Sequence, residues 1–94
     1  MAALHGWQLT GSGAELGLVR RFEFPDFHHT MAFANAVAWV AHTLNHHPEI
    51  SLRACSCTVR WSTHDVGGLT RLDLEAAARV NAQHASATQE NHIP

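Results

Sequence analysis

The sequence predicts an α+β domain in which a four-stranded antiparallel sheet carries helices on one face. Short runs of β-branched and aromatic residues occur in two pairs, and each pair is followed by a segment with helical periodicity. Each strand-like run also has one apolar and one polar side, which is typical of a sheet covered on one face only. The predicted order is β-β-α-β-β-α, in a single domain over residues 1–94.

The first two strands are predicted to form a hairpin. Residues 7–10 and 17–24 are the strand-like runs, and the Gly-Ser-Gly tripeptide at 11–13 separates them. The second run contains Val19 and Phe22, which are residue types that strands favour. Pro and Asp then end the second strand.

The first helix is predicted to begin after Asp26, whose side chain can cap it. It should run to about His46 and stop before Pro48, because the residue before a proline disfavours helical geometry. Apolar residues recur along it at steps of three and four: Phe27, Met31, Ala34, Val37, Ala38, Ala41 and Leu44.

The second pair of strands is predicted at residues 50–54 and 57–61, where apolar and polar residues alternate. This alternation indicates two half-buried strands. The segment 64–68, with two glycines, is predicted to be a loop.

The second helix is predicted to open at Thr70, because Asp73 lies three residues on and the two resemble a capping box. Its apolar face consists of Leu72, Ala76, Ala77 and Val80. The tail, residues 86–94, is polar and is expected to fray.

Length and charge limit the partners. A chain of 94 residues buries only about 60–65% of the surface of its unfolded form, so we expect a homo-oligomer that buries more. The formal charge is −2, and the six basic residues are scattered arginines that form no stripe. The sequence therefore argues against direct binding of nucleic acid.

Membrane insertion and export are not expected. The longest apolar stretch, Met31 to Ala41, contains Asn35 and is far shorter than the roughly 20 residues of a membrane span. The N-terminus lacks the basic start and the apolar run of about 7–15 residues that define a secretory signal, which predicts a cytoplasmic protein. Cys55 and Cys57 are too close in sequence for good disulfide geometry and are interpreted as reduced packing residues.

Histidine is the unusual feature of the composition, with nine residues in 94. Its side chain can act as acid or base near neutral pH. Helical spacing would put His42 and His46 on one face, with His47 at the exit of the helix. His64 follows a predicted strand end, so a hairpin returning alongside the helix could bring it to the same cleft.

Two other interpretations of these histidines stay open. A pair of histidines at a helix end is often only a capping or surface feature. His42 and His46 also have the i, i+4 spacing of metal ligands, and His64 could be a third ligand. The segment between them, however, lacks the general-base Glu of the metalloprotease motif.

At these residues the chain resembles the pterin-4a-carbinolamine dehydratase family. The signature of that family begins with a polar residue, three residues of any type and His-His-Pro. An aromatic residue and a Ser/Thr-Thr-His element follow, and then an Asp. The chain has His42-x-x-x-His46-His47-Pro48, then Trp61-Ser62-Thr63-His64, Gly67-Gly68-Leu69-Thr70 and Asp73. The resemblance extends back through Gly6-Trp7 and covers residues 6 to about 82.

The resemblance implies a dehydratase that converts 4a-hydroxytetrahydropterin to quinonoid dihydropterin and water. It assigns catalysis to His46, His47 and His64, with no metal and no redox cofactor, in a homodimer or homotetramer. The residues that it places at the substrate are Trp7, His42, Pro48, Ser62, Thr63 and Asp73.

The chain departs from the family pattern in two places. The family usually has Glu where this chain has His42, and it usually begins with a helix that is largely missing before Gly6. Relatives of this fold also act as binding modules, either as dimerisation cofactors of a transcription factor or as assembly chaperones of a carboxylase. Retention of all three histidines favours the enzyme, because a scaffold has no need of them.

Overall fold

The computed structural model of the protein describes residues 4–63 and 67–91, with side chains as far as residue 86. It contains one antiparallel sheet in the order β1-β2-β4-β3. This architecture confirms the predicted four-stranded sheet with two helices. Its elements are β1 (Gln8–Thr10), β2 (Gly17–Glu23), α1 (Phe27–Leu44), β3 (Glu49–Arg53), β4 (Ser56–Trp61) and α2 (Arg71–Asn91).

The core lies between the sheet and the two helices. Alternate residues of β4 are completely buried there, namely Cys57, Val59 and Trp61, whereas the intervening Thr58 and Arg60 are half-buried on the other face. Pairing in β2 matches this alternation, since Phe22 lies opposite Cys57. The helices complete the core with Phe33, Ala34, Val37, Val40, Ala41, Ala76, Ala77 and Val80.

The start of α1 is fixed as the sequence predicts. The Asp26 carboxylate accepts a hydrogen bond from the His29 amide at 2.8 Å, which satisfies one of the free donors of the first turn. Thr30 is buried, and its hydroxyl donates to the Ala54 carbonyl at 2.9 Å. This contact ties the first turn of α1 to the β3–β4 turn.

The end of α1 differs from the prediction. The helix ends at Leu44, because Asn45 adopts the left-handed conformation with φ of 49°. The His46 amide then donates back to the Ala41 carbonyl at 3.1 Å. The prediction that His46 shares a helical face with His42 is therefore wrong, since the chain has already turned out of the helix.

The Asp73 half of the predicted capping box opens α2. The Thr70 amide donates to Oδ2 of Asp73 at 2.9 Å, and the Asp73 amide donates to the Thr70 carbonyl at 3.1 Å. The helix continues to Asn91 and so includes part of the tail, residues 86–94, that was expected to fray. Within the described residues, neither helix combines the length and the apolar character that a membrane span requires.

Strand β3 is more exposed than a half-buried strand should be. Ile50 and Leu52 do lie opposite the buried Val59 and Cys57, so the predicted alternation is correct. Both nevertheless remain 36% and 42% exposed, and all five residues of the strand are exposed. The cause is position, because β3 is at the edge of the sheet and no described strand pairs with its outer side.

The two cysteines occupy different environments, and both are free thiols. Cys57 packs in the core, where burial raises the pKa of its thiol to about 11. Cys55 lies in the β3–β4 turn and is exposed.

Candidate functional site

The candidate site is centred on His46, which follows the end of α1, and Asp73, which lies in the first turn of α2. Nε2 of His46 lies 2.5 Å from Oδ1 of Asp73, although the residues are 27 positions apart. The side chain of His46 is 13% exposed and that of Asp73 is completely buried. The turn at Asn45 and the first turn of α2 together produce this contact.

The Asp73 carboxylate is fully engaged with the protein. Its Oδ2 accepts hydrogen bonds from the Thr63 hydroxyl at 2.6 Å and from the Thr70 amide at 2.9 Å. Burial, the largest single effect, raises the pKa of Asp73, but hydrogen bonds from Thr63, His46 and Thr70 together outweigh it and the pKa is lowered. The carboxylate is therefore ionised at neutral pH.

An ionised partner fixes the tautomer of His46. A carboxylate can only accept hydrogen bonds, so Nε2 of His46 must carry the proton in this pair. Nδ1 is then the nitrogen that can gain or lose a proton. The arrangement presents one oriented imidazole nitrogen for acid–base chemistry.

Trp61 supports the flat face of the same imidazole. The rings of His46 and Trp61 stack, with centroids 5.4 Å apart and planes inclined by 26°. Trp61 is completely buried at the end of β4, and no described residue accepts a hydrogen bond from its Nε1. The stack and the hydrogen bond to Asp73 hold the His46 ring from two directions.

Four more predicted site residues lie along the chain beside this centre. His47 is exposed and Pro48 is half-buried. The Ser62 hydroxyl accepts a hydrogen bond from Arg60 at 3.2 Å. The Thr63 amide donates to the Gly68 carbonyl at 2.7 Å, and the Gly68 amide donates back at 3.0 Å. His64 lies outside the described residues.

Two predicted site residues have their contacts elsewhere. His42 is exposed and packs against Trp39 on α1, with ring centroids 5.4 Å apart. Nε1 of Trp7 donates to Oδ1 of Asn81 at 2.8 Å. Asn81 follows Asp73 by eight residues, which is about 12 Å along α2.

Sequence reasoning missed the polar cluster around Asn81. Its Oδ1 also accepts from Arg20 at 2.7 Å, and its Nδ2 donates to the His5 carbonyl at 3.0 Å. These bonds fasten the N-terminal segment and β2 to α2. Their partners are 61 to 76 positions apart, so no local pattern in the sequence could have indicated them.

The metal interpretation receives no support from residues 4–63 and 67–86, whose side chains the structure describes. Within those ranges, no three His, Cys, Asp or Glu side chains lie close enough together to hold an ion. The proposed third ligand, His64, lies outside the described residues.

The chain is similar to known proteins in both sequence and fold. The family model described as pterin 4 alpha carbinolamine dehydratase matches residues 1–83. A protein of Paracidovorax citrulli named "Putative pterin-4-alpha-carbinolamine dehydratase" is 43% identical over 87% of this chain and 71% of its own length. A protein of the same name from Xanthomonas oryzae pv. oryzae is 47% identical over 80% of this chain and 62% of its own length.

Two solved structures have a similar fold. One is a transcriptional coactivator/pterin dehydratase from Brucella melitensis, with a TM-score of 0.78 and 34% identity over 87% of this chain and 85% of that one. The other is a pterin dehydratase-like RuBisCO assembly factor of the α-carboxysome, with a TM-score of 0.71 over 86% and 92%. The latter is 24% identical and shows the fold alone. With a family model that matches most of its length, the chain belongs to the pterin 4 alpha carbinolamine dehydratase family.

Proposed function

We propose that the protein dehydrates 4a-hydroxytetrahydropterin to quinonoid dihydropterin and water by histidine acid–base catalysis. The C4a–O bond breaks, and the hydroxyl leaves as water after it accepts one proton. A second proton leaves N5 of the pterin, and its bonding electrons form the new double bond to C4a. Atoms and charge balance without an oxidant or a reductant.

The observation that carries this proposal is the fixed imidazole of His46. Its Nε2 is held on the buried Asp73 and its ring is stacked on Trp61, which leaves Nδ1 to exchange a proton. His47 follows directly and is exposed, as a group that meets a soluble substrate must be. A single positioned acid or base typically contributes about 10²- to 10⁴-fold to a rate.

His46, His47 and His64 divide the two proton transfers in this proposal. A protonated imidazole supplies the proton to the departing hydroxyl, and a neutral imidazole accepts the proton from N5. Thr63 directly precedes His64 in the sequence and donates to Asp73, which in turn binds His46. That chain of contacts supports a role for the strand end before His64 in the same site.

Substrate contacts are proposed for Pro48, Ser62 and Thr63, with weaker support for His42 and Trp7. Asp73 is better suited to positioning than to binding substrate. Its side chain is completely buried, and both of its oxygens accept hydrogen bonds from the protein. We therefore assign Asp73 to the orientation of His46.

The proposed setting follows from the same reaction. The carbinolamine is the product left when an aromatic amino-acid hydroxylase has used a reduced pterin, so the protein would support tetrahydropterin recycling in the cytoplasm. A homodimer or homotetramer is part of the proposal, because a 94-residue chain gains buried surface by association.

A second candidate is a binding module of the same fold. The solved structures that resemble this chain include one titled as a transcriptional coactivator as well as a dehydratase, and one titled as an assembly factor. A module that only binds a protein has no use for an oriented imidazole beside an exposed one. The His46–Asp73 pair is therefore the observation that favours the enzyme.

The decisive experiment is a stopped-flow assay of carbinolamine decay with purified protein. A hydroxylase generates the substrate, and absorbance follows the appearance of quinonoid dihydropterin. We expect the observed rate to rise in proportion to protein concentration above the uncatalysed background. A rate equal to the background at every protein concentration would contradict dehydratase activity and favour the binding module.

A further inference from the structure

An open cavity of about 400 Å³ lies beside the β3–β4 turn, where β2 ends. Sites for small molecules typically enclose about 300–1,000 Å³, so this cavity is large enough to hold a ligand. Its walls carry two cations, a carboxylate, a hydroxyl, a thiol and an aromatic ring: Arg21, Arg53, Glu23, Ser56, Cys55 and Phe24. Strand β4 begins at Ser56 and ends at Trp61, so about 17 Å of strand separates the cavity from the candidate site.

The cavity opens on the polar face of the sheet, away from the helices. Phe22 and Cys57 point into the core, so Glu23 and Ser56, their neighbours in sequence, point to the opposite face. Ser56 pairs with Glu23 on one side and with Arg53 on the other. The register therefore places a carboxylate and a guanidinium on either side of one hydroxyl.

The Ser56 hydroxyl has no hydrogen-bond partner among the described residues. Ser56 is only 5% exposed, yet no described group bonds to its side chain. The oxygen is not sealed from solvent, since Nε1 of Trp61 is the one described side-chain atom that is both sealed and unpaired. Buried hydroxyls are normally hydrogen-bonded, so this one indicates a partner that a ligand in the cavity supplies.

The cavity is more cationic than the chain as a whole. Arg21 lies 3.3 Å from Glu23, and both side chains are more than half exposed. Arg53 forms no ion pair with any described residue, so the lining carries a net charge of +1, whereas the whole chain carries −2. A ligand with two carboxylates and one ammonium group complements this lining, because guanidinium groups bind carboxylates and a carboxylate binds ammonium.

Cys55 supplies a thiol at a fixed position in the cavity wall. The Phe24 amide donates to the Cys55 carbonyl at 2.9 Å, and the Thr30 hydroxyl donates to the adjoining Ala54 carbonyl at 2.9 Å. These bonds hold the turn that carries the thiol. Cys55 is exposed and Cys57 is buried, so Cys55 is the thiol that a reagent in solution can reach. Reactive cysteines typically occur in accessible, electropositive surroundings of this kind.

We propose that this cavity binds a small peptide disulfide, with glutathione disulfide as the representative, and that Cys55 is thiolated there. Each half of that disulfide carries two carboxylates for Arg21 and Arg53 and one ammonium group for Glu23. Ser56 offers its free hydroxyl to the peptide. This inference does not rest on the proposed dehydration.

The step is a thiol–disulfide exchange that needs no other reactant. The Cys55 sulfur attacks one sulfur of the disulfide, a new S–S bond forms, and the old S–S bond breaks. The departing peptide thiol takes up the proton that Cys55 loses. Cys55 is oxidised and the disulfide is reduced, so atoms and electrons balance.

Intact-mass spectrometry of the purified protein tests the modification. The protein is treated with glutathione disulfide and, separately, with the neutral hydroxyethyl disulfide. We expect one glutathionyl group per chain, none on Cys55→Ser, and full reversal by excess reduced thiol. An adduct on Cys57 alone, or no adduct on the parent, would overturn the proposal.

The ratio of the two rate constants, glutathione disulfide over hydroxyethyl disulfide, measures recognition by the cavity. Arg21→Gln and Arg53→Gln should each lower this ratio about two- to fivefold, as expected for exposed charges, and the double variant about tenfold. Arg79→Gln is the matched control, because Arg79 is an exposed arginine on α2 that also pairs with a glutamate. Equal ratios in the parent and the double variant would contradict binding by these arginines.

Ser56→Ala separates a ligand-binding hydroxyl from a structural one. The ratio should fall, whereas the melting temperature should stay the same or rise, because the hydroxyl loses no described partner. Thr30→Val is the control in the same region: its hydroxyl bonds to Ala54, so the melting temperature should drop while the ratio is kept. A lower melting temperature with an unchanged ratio in Ser56→Ala would overturn the assignment of Ser56.

Protection by S-methylglutathione tests binding without exchange, since its sulfur is blocked. We expect this compound to slow the reaction of Cys55 with hydroxyethyl disulfide in the parent, and to have little effect in the variant that carries both Arg21→Gln and Arg53→Gln. The absence of protection in the parent at millimolar S-methylglutathione would contradict a peptide site in the cavity.

Discussion

Nε2 of His46 lies 2.5 Å from Oδ1 of Asp73, and the carboxylate that makes this contact has no exposure to solvent. The pair joins the residue after α1 to the first turn of α2. Trp61 covers one face of the imidazole, and Thr63 and Thr70 complete the hydrogen bonding of the carboxylate. These contacts within the protein therefore orient the imidazole before any substrate binds.

Replacement of the buried carboxylate should lower the dehydration rate. In Asp73→Asn the amide can donate as well as accept, so the proton on Nε2 of His46 is no longer enforced. We expect kcat to fall about 10²-fold with a smaller change in KM, because orientation of the imidazole is lost rather than substrate contact. Circular dichroism should confirm that the variant is folded.

Asp26→Asn is the matched control for that variant. Asp26 also binds a histidine, with its Oδ1 2.7 Å from Nδ1 of His29, but this pair is on the surface at the start of α1. Asn is a good helix cap, so both stability and rate should stay close to the parent values. Equal rates for Asp73→Asn and the parent would remove Asp73 from the positioning role.

Asn81 should contribute to stability and not to catalysis. Asn81→Ala removes the Oδ1 atom that accepts hydrogen bonds from Trp7 and Arg20. Because these donors lose their partner, the free energy of unfolding should fall by about 1–3 kcal/mol. Urea denaturation measures this loss. Asn35→Ala, at an exposed position of α1, is the control and should be neutral or slightly stabilising. A raised KM for Asn81→Ala would instead indicate that Trp7, which Asn81 positions, contacts the substrate.

Stability should decline as pH falls below neutrality because of His84. Its ring packs against Phe22, Phe24 and Phe33, and burial, followed by the charges of Arg20 and His5, lowers its pKa from 6.5. The unfolded chain therefore binds this proton more readily, so stability is full above about pH 6.5 and is lost as pH falls through the lower folded pKa.

Thermal unfolding between pH 8 and pH 5 checks the role of His84. The melting temperature of the parent should drop across this range, whereas His84→Phe should show a flatter profile. Asp73 has a lowered pKa as well, but its contribution is lost only when pH falls below its ordinary value of 3.8. Identical profiles for the parent and His84→Phe would rule out His84 as the cause.

Activity should survive removal of metal ions, because the proposed steps are proton transfers. Protein treated with a chelator and then dialysed should retain the parent rate, with elemental analysis as the check on metal content. Stoichiometric zinc whose removal abolishes the rate would instead support the metal-ligand interpretation of His42, His46 and His64.

Local patterns were sufficient to predict most of the fold. Asp26 and the Thr70–Asp73 pair are capping signals within one turn of the helices that they open, and both are confirmed. The alternation in β4 likewise predicts its buried face. The exposure of β3 could not be predicted in the same way, because it depends on strand order and not on the sequence of the strand.

The candidate site was predicted only in part. Asn45, which directly precedes His46-His47-Pro48, was a signal for a left-handed helix end, and its conformation accounts for the separation of His46 from His42. The contact of His46 with Asp73 spans 27 positions, and that of Arg20 with Asn81 spans 61. Contacts between residues so far apart in the sequence depend on how whole helices and strands pack, so no local pattern predicts them.

The most direct test of the account is the rate of carbinolamine decay with single alanine variants at His46, His47 and His64. Each should be slower than the parent while folded, with His47→Ala among the slowest, His42→Ala among the mildest, and His28→Ala as a control near the parent rate. The losses should not add, because a remaining imidazole or water can replace a missing group. If all three variants matched the parent rate above background, catalysis by these histidines would be contradicted.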